Sequence, residues 1–164
     1  MTRHDALEKI LASYTVYYNI ERSSDIEGIS AEAVFDYHDE QYFLIRRAKL
    51  SEADTKEYVY FAAPYALTLK TLLDLTAAVW NKGQSKVVPG PNHRNTDITL
   101  VIITEQTDSE VMENVRKIHY SKSFRFGLHG WSNFRLVVYD LSTGEAAHNR
   151  LGSDLRKTIN NIFK

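Results

Sequence analysis

The sequence predicts an α+β fold: a mixed sheet with an antiparallel N-terminal meander and a later strand-helix-strand unit, flanked by helices. Three observations predict it. Short runs between Tyr14 and Ala63 alternate apolar and polar residues, Ile98 to Thr104 is apolar on both faces and β-branched like an interior strand, and helical periodicity recurs before, between and after them. The 164 residues, 43% hydrophobic and 25% charged, fit one globular domain spanning 1–164.

Thr2 caps a first helix with Asp5 in its first turn, and Ala6, Leu7, Ile10, Leu11 and Tyr14 share a face, so the helix ends near Ser13 or Tyr14. From Tyr14 to Ile20 the apolar period falls to two, predicting a first strand, and Ala31 to Tyr37 alternates in the same way. The polar run His38-Asp39-Glu40-Gln41 turns the chain into a third strand, Tyr42 to Lys49. Ser51 to Lys56 reads as a turn and Glu57 to Ala63 as a fourth strand.

Pro64 suits the first turn of a second helix, along which Tyr65, Leu69, Leu72, Leu73, Thr76 and Trp80 form a stripe. Leu67, Leu75 and Val79 widen that stripe and predict a helix covered on more than one side, ended by Gly83. Asn81 to Thr96 holds Pro89, Gly90 and Pro91 and reads as a long loop. Thr107 and Glu110 make a capping-box pattern for a third helix with Val111, Val115 and Ile118 on one face. Ser121 to Leu128 and Phe134 to Leu141 read as strands separated by a bend at Gly127 and Gly130, with Trp131 in the turn. Ser153 and Asp154 open a last helix whose Leu155, Ile159, Ile162 and Phe163 face inward.

Charge is sorted along the chain. From Glu21 to Glu57 there are ten acids and five bases, whereas Asn114 to Tyr139 contains no acid but holds Arg116, Lys117, Lys122, Arg125 and Arg135 among Tyr120, Phe124, Phe126, Trp131 and Phe134. No acid occurs between Asp74 and Asp97 either, and Lys82, Lys86, His93 and Arg94 fall there. Arg and Lys meet phosphates or carboxylates while aromatic faces stack on bases, so Arg94, Arg116, Lys122 and Arg125 are candidate anion contacts and Trp131 a candidate platform. The competing reading of Phe124, Phe126 and Leu128 is structural, because at strand period they share one face and would fill the core.

Several function classes drop out. Zero cysteines remove disulfides, thiolate metal sites and cysteine nucleophiles. Six scattered histidines include no i, i+4 pair, and no nucleophile elbow, Walker loop or dinucleotide fingerprint is present, so no metal or cofactor is expected. A polar N-terminus and the lack of any run of ~20 apolar residues predict a cytoplasmic protein.

The element order also resembles the core of restriction-endonuclease-like enzymes, which hold Mg²⁺ with an acid followed on the next strand by acid-x-Lys. Asp36 with Asp54-Thr55-Lys56 matches in letters, although about one such triplet arises by chance in this composition, and Asp54 and Lys56 fall in the expected turn rather than in a strand. Tyr14 to Ile20, Tyr42 to Lys49, Thr99 to Thr104 and Lys122 to Trp131 together resemble small uncharacterised bacterial α+β proteins, a resemblance that implies no activity and carries no site residue. The leading expectation is a non-enzymatic binding module for an anionic partner, nucleic acid or acidic protein. The alternatives are a Mg²⁺-dependent nuclease using Asp36, Asp54 and Lys56, and a self-associating protein whose acidic meander docks on the basic segment of a second copy.

Overall fold

Two clusters of apolar side chains occupy opposite faces of one mixed sheet, and the chain's order of elements explains why there are two. The computed structural model describes residues 1–35 and 54–164; the expected strand from Tyr42 to Lys49 lies outside them. Among the described residues the elements are α1 (Arg3–Tyr14), β1 (Asn19–Glu21), β2 (Ala31–Phe35), β3 (Asp54–Ala62), α2 (Leu69–Ser85), β4 (His93–Thr104), α3 (Ser109–Lys117), β5 (Ser121–Ser123), β6 (Trp131–Asp140), β7 (Glu145–His148) and α4 (Ser153–Phe163). The sheet runs β1-β2-β3-β4-β6, and β5 and β7 both pair antiparallel with β6. The α+β class is as expected: an antiparallel β1-β2-β3 meander leads into parallel β3, β4 and β6.

Two consecutive crossovers of one hand step across the sheet in one direction, so α2 and α3 fall on the same face. There Leu72, Leu75, Val79, Val111 and Val115 pack on Tyr60, Ile98, Leu100, Phe134 and Leu136. The other face is left to the two ends of the chain. Ala6, Leu7, Ile10 and Leu11 of α1, with Leu155 and Ile159 of α4, cover Val59, Phe61, Val101, Ile103 and Val137.

Local chemistry sets most boundaries. Thr2 and Asp5 form the expected reciprocal box at α1, the Asp5 amide donating to the Thr2 hydroxyl at 3.1 Å and the Thr2 amide to the Asp5 carboxylate at 3.0 Å. Pro64 does not open α2; Thr68 caps it, accepting from the Thr71 amide at 3.1 Å. Gly83 does not end it either, since the helix runs to Ser85. A Cβ at Gly83 would sit 2.6 Å from the Ile98 side chain, so glycine lets helix and sheet approach. Only one side of α2 is covered: Leu72, Leu75, Thr76, Val79 and Gly83 are buried, while Leu73 and Tyr65 are exposed. The cap of α3 is Asp108 rather than Thr107, and the loop before β4 shrinks to residues 86–92.

Two strands differ from expectation. Tyr14 to Tyr18 is the end of α1 and a turn, closed by the Tyr17 and Tyr18 amides donating to the Tyr14 carbonyl, and the first strand is only Asn19–Glu21. β7 has no signal in sequence. Between β5 and β7 the outer edge of β6 has no strand partner, and buried Asn149 substitutes for one. Its carbonyl oxygen accepts from the Leu136 amide at 3.0 Å and its amide donates to the Phe134 and Ile118 carbonyls at 2.9 and 3.2 Å. No helix among the described residues is long and apolar enough to cross a membrane.

Asn149→Leu strands the buried Leu136 amide, the buried Phe134 carbonyl and the part-buried Ile118 carbonyl. Chemical denaturation should show a loss of about 2–3 kcal/mol, the usual cost of orphaned buried polar groups, with the urea midpoint falling and the m-value unchanged.

Candidate functional site

β3, β4 and β6 begin at the same end of the sheet, and two polar regions are built there. The first joins the start of β4 to the chain before β6. Gly130 has φ 81°, and a Cβ on it would lie 2.5 Å from the His93 carbonyl oxygen and 2.6 Å from that of Arg94. Only glycine permits that contact. Beside it the His93 ring, buried, has Nδ1 2.7 Å from the His129 carbonyl oxygen and Nε2 2.8 Å from the Thr96 hydroxyl. A carbonyl only accepts, so Nδ1 carries a proton and, in the neutral ring, Nε2 accepts from Thr96. The Phe124 ring meets His93 edge-on. The start of β4, with His93 and Arg94, and the basic aromatic segment before β6 are thus neighbours, whereas Lys82 and Lys86 meet Asp25 and Glu32.

Residues 124–130 are not a strand. Phe124 and Gly130 are tied by the Phe124 amide donating to the Gly130 carbonyl at 2.9 Å, and the Gly127 and His129 amides donate to the Phe124 carbonyl at 3.1 and 3.0 Å. Arg125 and Phe126 take φ of 48° and 55°, successive left-handed positions that cost side-chain-bearing residues about 1–2 kcal/mol each. The result reverses the core reading: Phe126 is 103% exposed and Leu128 78% exposed, and only Phe124 packs inward. Trp131 opens β6 instead of lying in a turn; it pairs with Asn95 and Ser123 and is 44% exposed. Lys122, Arg125 and Arg94 are exposed around this turn, with the Lys122 ammonium 5.5 Å from the Phe124 ring centre. Arg116 is placed elsewhere, on α3 beside a shallow pocket shared with Asp108, Glu113, Asp140 and Glu145.

The second region was missed in sequence. On the face covered by α1 and α4, Glu57, Asp97 and Asn133 stand in one register row near the start of the parallel strands, with Arg135 one step further along β6. Glu57 is gripped at both oxygens: the Tyr18 hydroxyl donates to Oε1 at 2.9 Å and the Arg135 guanidinium to Oε2 at 2.7 Å. Both members of this ion pair are largely buried, their side chains 11% and 18% exposed. Burial pushes the Glu57 carboxyl above its ordinary value of 4.5; Arg135 pulls it back and Asp97 pushes it further up. Burial works against the Arg135 cation, and the Glu57 and Asp97 carboxylates more than offset it. Burial and Glu57 together raise Tyr18, which stays a phenol and a donor. Along the same row the Asn133 amide donates to the Asn95 carbonyl at 3.2 Å and the Asn95 amide to Asp97 at 3.0 Å. Cavities of about 460 and 380 Å³ open on either side of the Tyr18-Glu57-Arg135 bridge.

The sequence signal for this cleft was available strand by strand, because Glu57 and Arg135 are followed at period two by apolar Val59 and Val137, and Asp97 leads through Thr99 into Val101 and Ile103. What no single strand reveals is the register that unites them. Of the nuclease residues, Asp36 lies outside the described chain. Asp54 and Lys56 fall within β3 rather than in a preceding turn, and the pairing sets Lys56 beside Thr96 and Glu57 beside Asp97.

Arg135→Met leaves the buried Glu57 carboxylate without its cation and should destabilise by about 3 kcal/mol near neutral pH. A carboxyl whose folded pKa is raised contributes stability fully below its ordinary value of 4.5 and loses it as pH rises through the folded value. Denaturation at several pH values should therefore show the gap between variant and wild type widening from acid toward neutral pH. A Glu57→Leu/Arg135→Met double variant should recover most of the loss.

No curated protein and no solved structure matches the chain. A family model described as a domain of unknown function, DUF8052, matches residues 2–161, nearly the whole sequence, and the chain belongs to that family.

Proposed function

We propose that this protein is a non-enzymatic binding module of the bacterial cytoplasm that docks an anionic partner on the surface formed by residues 121–131 and the start of β4. The observation that carries the reading is the left-handed turn at Arg125 and Phe126, which holds an apolar ring fully in solvent next to Arg125 in the chain, with exposed Lys122 over the neighbouring Phe124 ring. Strained non-glycine backbone concentrates where side chains are presented to ligands. An exposed ring alternating with cations is the arrangement that stacks on an unpaired base while meeting flanking phosphates, so a nucleic acid with unpaired bases is the favoured partner. Arg94 joins the surface through the Gly130 contact, and Trp131 adds a second ring at its edge. Arg116, on α3 beside four acids, contributes nothing to it.

Fluorescence anisotropy with labelled single-stranded and duplex oligonucleotides at two salt concentrations tests the reading. Tighter, salt-dependent binding of the single strand is expected. Phe126→Ala should weaken it by about 1–3 kcal/mol, the range for one stacked base. Lys122→Ala/Arg125→Ala should lower the slope of log affinity against log salt by about 1.4, two lost phosphate contacts at ~0.7 each. Binding that is absent, or indifferent to salt and to Phe126, removes the nucleic-acid partner.

A further inference from the structure

The polar cleft beside β3, β4 and β6 is separate from the docking surface in the chemistry it offers. In the centre of a sheet, inward positions are ordinarily apolar, and burying ions there is no more stable than filling the space with hydrocarbon. The face under α1 and α4 follows the ordinary rule along most of its length and departs from it only at the starting end, where the strands contribute Glu57, Asp97, Asn95, Asn133 and Arg135. The departure coincides with open space of about 380 Å³ bounded by Tyr18 and Phe35 on one side and by Leu151 and Asp154 on the other.

The hydrogen bonds determine what that space presents. Glu57 and Arg135 satisfy each other, with Tyr18 on the remaining Glu57 oxygen and the Leu151 carbonyl accepting from the Arg135 Nε at 3.3 Å. Asp97 as a carboxylate can only accept, so it turns the Asn95 amide nitrogen toward itself. That leaves the Asn95 carbonyl facing the Asn133 amide, and it leaves the Asn133 carbonyl as an acceptor with no donor among the described residues. Among the described residues, with the Glu57-Arg135 pair self-neutralised and Asp154 3.6 Å from the Lys157 ammonium, the charged groups left along the lining are Asp97 and Lys56. The Asp97 carboxylate and the Asn133 carbonyl, two acceptors in one space beside the Tyr18 ring, are complementary to a cation that carries N–H donors.

We propose that this cleft is a binding site for a small cationic ligand bearing a guanidinium or primary amine, held by Asp97 and the Asn133 carbonyl. Asp97 supplies the charge and the Asn95-Asn133 relay orients the acceptors. Arg135 and Tyr18 are positioning residues that keep Glu57 from competing for the ligand.

Isothermal titration calorimetry of the full chain with agmatine as probe tests this, with succinate as the anionic counterpart. Agmatine is expected to bind and succinate not. Asp97→Asn should weaken agmatine binding at least about tenfold, Asn133→Asp should strengthen it, and Glu113→Gln on exposed α3 should leave it unchanged. If Asp97→Asn fails to fold, Asn133→Leu takes its place with the same expected loss. No agmatine binding at ~1 mM, equal affinity for succinate, or an affinity indifferent to both Asp97 and Asn133 would overturn the assignment.

Discussion

Three parallel strands at the centre of the sheet, β3, β4 and β6, impose the constraint from which the rest follows. Their side chains need cover on both faces. The crossovers supply one layer with α2 and α3, and the chain's two ends must supply the other. α1 and α4 are 12 and 11 residues long and do not span the whole sheet face. Among the described residues, the inward strand positions change from apolar to polar toward the starting end of the sheet, and the cleft opens there beside the two helices.

The buried Glu57-Arg135 pair sits at the boundary between covered and uncovered sheet. It joins β3 to β6 across β4, and Tyr18 fastens it to the turn after α1. A network that links the meander to the C-terminal part of the sheet specifies how those parts sit together more than it adds to net stability. Asn149 plays the comparable part at the outer edge, completing backbone pairing where β5 stops and β7 has not begun.

How much of this was legible depended on whether the cause was local. The cap and stripe of α1 and the β-branched run of β4 are local, and both were read from sequence. Tyr14 and Tyr18 were misread as strand because residues four apart satisfy period two and helical spacing alike; their rings in fact meet at 4.7 Å around the helix end. Phe124, Phe126 and Leu128 alternate as a strand would, yet Gly127 and Gly130 favour the turn that exposes two of the three. β7, Glu-Ala-Ala-His, has no β-branched or aromatic residue and is held by its pairing with β6 and by the small Ala146 and Ala147 side chains packed on either face. The cleft was illegible for a different reason. Its residues lie about forty positions apart, and only strand register brings Glu57, Asp97 and Asn133 into one row.

Phe126 carries a physical consequence beyond recognition. Backbone bonds within the 124–130 turn hold its ring outward before any partner arrives, so little ordering entropy is left to lose on contact. The same rigidity makes the ring adhesive toward any apolar surface, including that of another molecule of the protein. Lys122 and Arg125 then act as colloidal guards, because two molecules approaching ring to ring must also bring their cations together. Salt that screens that repulsion would be expected to lower the protein's solubility through this one side chain.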